Sequence, residues 1–401
     1  MISRRDLRPN GRPVGTRSLV TALGALSIVV LLICCVPGCA GIRINRPIAK
    51  SPWDWVMYGG TPARANYVLS TIHPPLKELW EYNALAGISS TPLVRDSLML
   101  VGTLNGELQA VHLATGDRLG YIVLESAVAG TPVWDGIHVY VPSASGTETL
   151  VRIALRNGKR EWVMNYGPIE SSPLLYGELL YVTTLKGILY CIKKLDGTEV
   201  WRFETSDEAR RKPIRSSPAS DGAVIVFGSD DGCIYAVERT TGKLRWKYET
   251  GASIFATPII AEGKCIVGSL DGTVYAVDVV RGNLVWEHNT GSKIYGAAAA
   301  DEALVYVGCA DGTLHALRID SGAQAWMFTA QSVIDCAPLV AGQVLYVGSL
   351  DRTLYALRAS SGEEIWHFDA PGRIRVPPVI WGSMLLLTCE DKFVLALKPA
   401  Q

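Results

Sequence analysis

The sequence has no excess of either charge: 38 Lys and Arg stand against 38 Asp and Glu over 401 residues. No global basic field is present, which argues against a nucleic-acid partner. The first 38 residues hold five Arg and one Asp, so a chain beginning at Cys39 carries 33 basic against 37 acidic residues. Such a mildly acidic body does not suit polybasic membrane binding either. Metal-ligand spacing is also missing: no two of the nine cysteines are separated as C-x-x-C. The histidines, at positions 73, 112, 138, 288, 315 and 367, form no ligand cluster. No Ser/His/Asp set, phosphate loop or catalytic pair of carboxylates can be defended. These absences leave no catalytic, cofactor-binding or metal site to assign, and they argue against an enzyme.

Arg4, Arg5, Arg8, Arg12 and Arg17 precede an uncharged apolar run from Ser18 to Val36, and the run ends in VPGC. A basic segment, an apolar core and a small-residue site read as a secretory signal. Val36, Gly38 and Cys39 look like a bacterial lipobox, which makes residues 1–38 a signal peptide and Cys39 the lipidated residue. An uncleaved helix is the competing reading, since nineteen uncharged residues can nearly span a bilayer. SRRDLR resembles a twin-arginine signal, but the apolar run begins too late after it. Ala40 rather than Asp follows the cysteine, which favours the outer membrane in a two-membrane cell. Residues 39–75 then form a tether and N-terminal segment, with 40–52 as a short tether.

Three landmarks recur through the rest of the chain. A Pro stands at 92, 132, 173, 218, 258, 338 and 378, with Ala298 in the one gap. A Gly stands at 116, 158, 197, 242, 282, 322 and 362, and a Trp four residues later at 162, 201, 246, 286, 326 and 366. The period is 40, lengthening to 41 once and to 45 between Pro173 and Pro218. Each unit reads as four short β-rich runs cut by Gly-containing turns, as in SIFATPII, CIVGS, TVYAVDV and LVWEHN. Four strands per forty-residue repeat mark a β-propeller.

LKELWEYN, residues 76–83, looks like a fourth strand with no first three before it, and the chain ends on three strands lacking a fourth. The expectation is therefore all-β: an eight-bladed propeller over residues 76–401, built of four-stranded antiparallel blades, with its ring closed by strands from both termini. Asp231, Asp271, Asp311, Asp351 and Asp391 share one repeat position, where Asp before Gly is ordinary turn chemistry. Six cysteines beyond Cys39 read as buried substitutes for small residues, although Cys309 and Cys336 could approach across adjacent blades. Gly120 fills a Trp slot, with Tyr121 as the expected substitute, and Arg352 and Lys392 replace turn glycines, where a different turn type is expected.

AVERTTGKLRW, AVDVVRGNLVW, ALRIDSGAQAW and ALRASSGEEIW resemble the tryptophan-docking motif of the pyrroloquinoline-quinone (PQQ) type of propeller, in which the Ala and Trp of each blade pack against its neighbours. The resemblance covers about residues 76 to 398. The quinoprotein dehydrogenases of that type carry adjacent cysteines over the cofactor and a calcium-bound catalytic Asp, whereas the adjacent cysteines here, Cys34 and Cys35, lie in the signal.

Size, blade number, lipobox and ring closure make the nearer resemblance one to the BamB lipoproteins of outer-membrane β-barrel assembly. In those proteins an insertion between central blades, ending Leu-x-Leu-Arg, binds the barrel partner. The corresponding stretch is FETSDEARRKPIRSSP, residues 203–218, with Arg215 in place of the Arg and Ile214 in place of the preceding Leu. Ser253 and Phe255 stand where the resemblance implies an acidic pair. The resemblance thus implies a lipid-anchored scaffold on the periplasmic side of the outer membrane, with no cofactor. Its partner is an envelope protein bound through Arg210, Arg211, Ile214 and Arg215. A ligand-binding or sensory propeller using its central channel is the alternative, and a PQQ-dependent dehydrogenase relative a more distant one.

Overall fold

Two compact units divide the chain, residues 1–38 and 39–401. The computed structural model describes residues 41–44, 46–69 and 72–400, all in the second unit. The signal segment and the lipobox residues Val36, Gly38 and Cys39 lie outside the described residues.

Among the described residues there is no helix, and the strands group into eight sheets. Seven sheets follow one another along the chain, each made of four consecutive antiparallel strands: blades 1 to 7, beginning at Leu93, Val133, Leu174, Ala219, Ile259, Ala299 and Leu339. Blade 8 joins Val379–Trp381, Met384–Cys389 and Phe393–Pro399 to Leu76–Asn83, which pairs antiparallel along Phe393–Pro399. The expected closure by both termini is therefore present. In each blade the first strand lies nearest the axis. The turns between first and second strands and between third and fourth strands share one face of the ring, the turn face. The remaining turns and the loops between blades share the other, the loop face.

The apolar core sits between neighbouring blades. One cluster joins Ile259, Ile266 and Val274 of blade 5 to Val305, Val307 and Leu317 of blade 6. The repeated motif explains how the blades lock. A bulge in the fourth strand sets Trp286 opposite Ala276, and the same pairing joins Trp246 to Ala236 and Trp80 to Ala396. The small alanine leaves room for the indole, which reaches into the next blade: Trp286 Nε1–H donates to the Ile319 carbonyl at 2.9 Å. Gly322 lies under that ring, at a φ of +70°, where an added Cβ would fall 2.6 Å from the indole. The glycine is therefore required twice, by its turn and by the close approach.

The junction between blades 1 and 2 differs, because Gly120 leaves no indole there. The expectation that Tyr121 substitutes is corrected: Tyr121 instead lies beneath the Arg118 guanidinium, 5.2 Å from its ring centroid. Ile42 fills the place. Its side chain is 1% exposed, its backbone oxygen lies 2.8 Å from where a Cβ on Gly158 would stand, and Ile44 N–H donates to the Leu155 carbonyl at 3.1 Å.

The segment before Leu76 is likewise more than a tether. Residues 55–66 cross the ring on the turn-face side and bond to the first strands of successive blades. Trp55 exchanges two backbone bonds with Val94. The N–H groups of Trp134, Ser220, Ile260, Ala300 and Val340 then donate to the carbonyls of Val56, Pro62, Ala63, Ala65 and Asn66 at 2.9–3.0 Å. Tyr67–Val68 then adds a parallel fifth strand to blade 7. Arg64, wholly buried, spans the centre: its guanidinium donates to the carbonyls of Tyr58, Ser172, Pro173 and Pro218 at 2.7–3.1 Å. Burial pushes its pKa down to about 9, and four carbonyl dipoles replace the water lost around the cation. The turn-face end of the channel is plugged.

The six described cysteines are all free and buried, so Cys309 and Cys336 form no disulfide. Arg352 keeps the left-handed conformation of the glycine it replaces, with φ +75°, which corrects the expected change of turn.

Candidate functional site

Among the described residues the turn-face end is closed, and the channel opens on the loop face as a funnel of about 180 Å³ with Tyr58 among its lining residues. Its mouth is built from the residue three before each landmark Pro, where the loop between blades turns into the first strand. Around the ring these are Ser89, Ala129, Glu170, Arg215, Phe255, Tyr295, Asp335 and Arg375. They associate in neighbouring pairs. Ser89 hydroxyl donates to the Ala129 carbonyl at 3.1 Å, and Glu170 and Arg215 approach to 3.5 Å. Phe255 and Tyr295 have ring centroids 6.4 Å apart, and Asp335 meets Arg375 at 3.1 Å. Arg215 also lies over the Phe255 ring, 5.1 Å from its centroid, and ion-pairs with Asp230. Burial raises the pKa of Asp335, opposed by the nearby Arg375 charge.

Below the mouth runs a chain of hydroxyls. Backbone N–H groups of Thr91, Thr131, Ser172 and Ser217 donate in turn to the side-chain oxygens of Thr131, Ser172, Ser217 and Thr257, at 2.8–3.4 Å. The chain stops at Ala297. The equivalent residue in blade 8 is Pro377, which has no N–H to offer Thr91. The Thr91 hydroxyl, on a residue 2% exposed that lines the funnel, is left without a hydrogen-bond partner.

The long unit places its extra residues on the loop face, at the rim of blade 3. They border a polar groove of about 780 Å³, whose lining includes Lys186, Arg202, Glu204, Asp207, Glu208 and Arg211. The four residues expected to bind a partner are separated by the structure. Arg210 is solvent-exposed and paired with Asp207 at 2.5 Å. Arg211 lies along the groove, 3.5 Å from Glu204. Arg215 belongs to the funnel mouth. Ile214 is 0% exposed, packed in the core of blades 2 to 4, and that corrects its reading as a partner-binding residue. It occupies the position of Ile254, Ile294, Ile334 and Ile374, each also fully buried.

Of the eight mouth residues, the sequence motifs point to Arg215 and Phe255 alone. The mouth's signal is a repeat position, three before the Pro, at which the residue type changes from unit to unit and Arg alone recurs. The five repeated aspartates are turn residues. Asp271 accepts from Thr273 N–H and Tyr275 hydroxyl, and Asp351 does the same with Thr353 and Tyr355. Among the described residues no group of three His, Cys, Asp or Glu is placed to hold a metal ion.

The sequence matches the profile of a family described as outer membrane protein assembly factor BamB, over residues 122–203, 185–332 and 331–400. No curated protein matches the sequence significantly. Among solved structures, BamB from Moraxella catarrhalis is similar with a TM-score of 0.69 and 17% identity, over 80% of this chain and 99% of that one. Quinohemoprotein alcohol dehydrogenase from Comamonas testosteroni is similar with a TM-score of 0.73 and 15% identity, over 88% of this chain and 81% of that one. The computationally designed Ika8 protein is similar with a TM-score of 0.71 and 17% identity, over 80% and 99%. Likeness that extends equally to an assembly factor, an oxidoreductase and a designed protein is likeness of fold alone.

Proposed function

The chain belongs to the family of the outer membrane protein assembly factor BamB, and from that premise we propose that it is a lipid-anchored scaffold on the periplasmic side of the outer membrane. In this reading its loop face holds a protein of the β-barrel assembly apparatus. One observation carries the partner surface. The blades repeat the wedge, the turn glycine and the buried aliphatic, while the mouth position reads Ser, Ala, Glu, Arg, Phe, Tyr, Asp, Arg. Packing constrains the first three and leaves the last free for recognition. The charged groove at the insertion extends that surface outward.

The scaffold is non-enzymatic in this reading. A PQQ-type cofactor brings several carboxylates, and the funnel does not fit it. Arg215 is committed to Asp230 and Glu170, and Arg375 to Asp335 and Glu390. No free cation remains at the mouth among the described residues lining it. A small ligand in the channel is the second reading, favoured by the unpartnered hydroxyl of Thr91. Retention of a small molecule by the purified protein would support it.

The scaffold reading is tested with Arg210→Glu combined with Lys212→Glu, both at exposed positions of the insertion. Expected is loss of at least tenfold in capture of a β-barrel assembly component from detergent-solubilised envelopes, with an unchanged thermal melt. Undiminished capture would move the interface off the insertion.

A further inference from the structure

The chain enters the ring at a fixed point, and that point is on the turn face. Ile42 is wedged between blades 1 and 2 in place of the missing indole, and Ile44 is bonded to the Leu155 carbonyl in a turn-face turn. Cys39 precedes Ile42 by three residues, a reach of roughly 10 Å even when fully extended. A lipid on Cys39 would therefore hold the turn face, rather than a freely swinging body, near the bilayer. The funnel and the insertion both lie on the opposite face.

The turn face is also built for such a surface. Of the described large apolar residues more than 60% exposed, Leu69 (83%), Leu195 (69%), Val280 (69%) and Ile137 (64%) lie on it, and only Leu85 (71%) lies on the loop face. Ile137, Leu195 and Val280 sit at turn tips, each beside a carboxylate that bonds back to the backbone of its own turn. Asp135 accepts the Ile137 N–H at 2.9 Å, Asp278 the Val280 N–H at 3.0 Å and Asp196 the Thr198 N–H at 3.0 Å. Those carboxylates satisfy backbone donors, and the aliphatic side chains project past them. Exposed Arg43, Arg156 and Arg281 stand beside the tips and suit contact with anionic headgroups, while exposed Glu178, Asp196, Glu262 and Glu302 share the face. A short anchor, protruding aliphatics and flanking cations make one surface.

We propose that the turn face is the membrane-apposed face of the propeller, with Leu195, Val280 and Ile137 entering the headgroup layer and the funnel pointing away from the bilayer. The proposal rests on lipidation of Cys39. Its test uses the full lipidated chain in vesicles of phosphatidylethanolamine and phosphatidylglycerol containing a headgroup nitroxide lipid, after mass spectrometry has checked for the diacylglyceryl group. A fluorophore is attached through Leu195→Cys, Val280→Cys or, on the loop face, Glu208→Cys. Quenching at least threefold stronger at 195 and 280 than at 208 is expected. That difference should collapse when a twelve-residue Gly/Ser stretch is inserted between Cys39 and Ile42 together with Leu195→Glu and Val280→Glu. Equal quenching on both faces of a chain that carries the lipid would overturn the orientation and leave the anchor standing. A chain without the lipid mass would overturn the anchor, and the orientation with it.

Discussion

Ile214 and Arg215 are neighbours in sequence with opposite fates. Ile214 points into the core with its N–H bonded to the Thr184 carbonyl at 3.1 Å, while Arg215 points to the funnel mouth. Alternation of side chains about an extended backbone separates them. Truncating the first removes buried volume, so Ile214→Ala is expected to cost about 2–5 kcal/mol, as other buried large-to-small changes do. Urea unfolding of the variant measures this, and a cost under ~0.5 kcal/mol would show that the side chain is not packed. Arg64 shows the other kind of buried side chain. It has no carboxylate partner among the described residues and is held by four carbonyls from three stretches of the chain, so it organises backbone rather than balancing charge.

At the scale of the element, each blade other than blade 1 has a fourth strand that carries the tryptophan wedged against the next blade. Trp246, Trp286 and Trp326 each donate to a carbonyl 33 residues on, which is the turn between third and fourth strands of the following blade. Trp286→Ala would remove both this bond and the ring that covers Gly322. A loss of about 3–5 kcal/mol is expected, in line with other buried aromatics. Calorimetric or denaturant unfolding checks the value, and a near-neutral result would refute the wedge role. The insertion behaves differently from the blade elements. Arg210 and Lys212 are exposed there, which is why charge changes at those two positions are expected to alter capture and spare the melt.

The whole ring is held by two long-range devices. Blade 8 is completed across the termini, through pairing of Leu76–Asn83 with Phe393–Pro399. The segment 55–66 then laces the first strands of blades on all sides of the channel. A chain ending after Pro371 would lack three strands of blade 8 and leave Leu76–Asn83 as an open edge. Loss of the cooperative thermal transition is expected for it. A wild-type melting curve would contradict closure as a source of stability. The same lacing divides the molecule into a closed turn face, where Ile42 and Ile44 are held, and an open loop face, where the funnel and the insertion lie.

The sequence by itself determined what is periodic. Blade number, strand order, the Ala–Trp wedge, the turn role of Asp271 and closure by Leu76–Asn83 all follow from patterns that recur every forty residues, because each unit meets the same local packing problem. The burial of Ile214 was legible too: it stands four before Pro218 as Ile254 stands before Pro258. The funnel mouth was written there in reverse, as a position where the residue type varies from unit to unit. What only the tertiary structure decided is aperiodic. Nothing in TPARAN, residues 61–66, announces that its carbonyls will meet four blades or that Arg64 will close the channel, since those partners lie 100 and more residues away. Nor could Gly120 name its replacement. A missing indole leaves a gap of definite shape, and which distant segment fills it is set by where the folded chain brings Ile42.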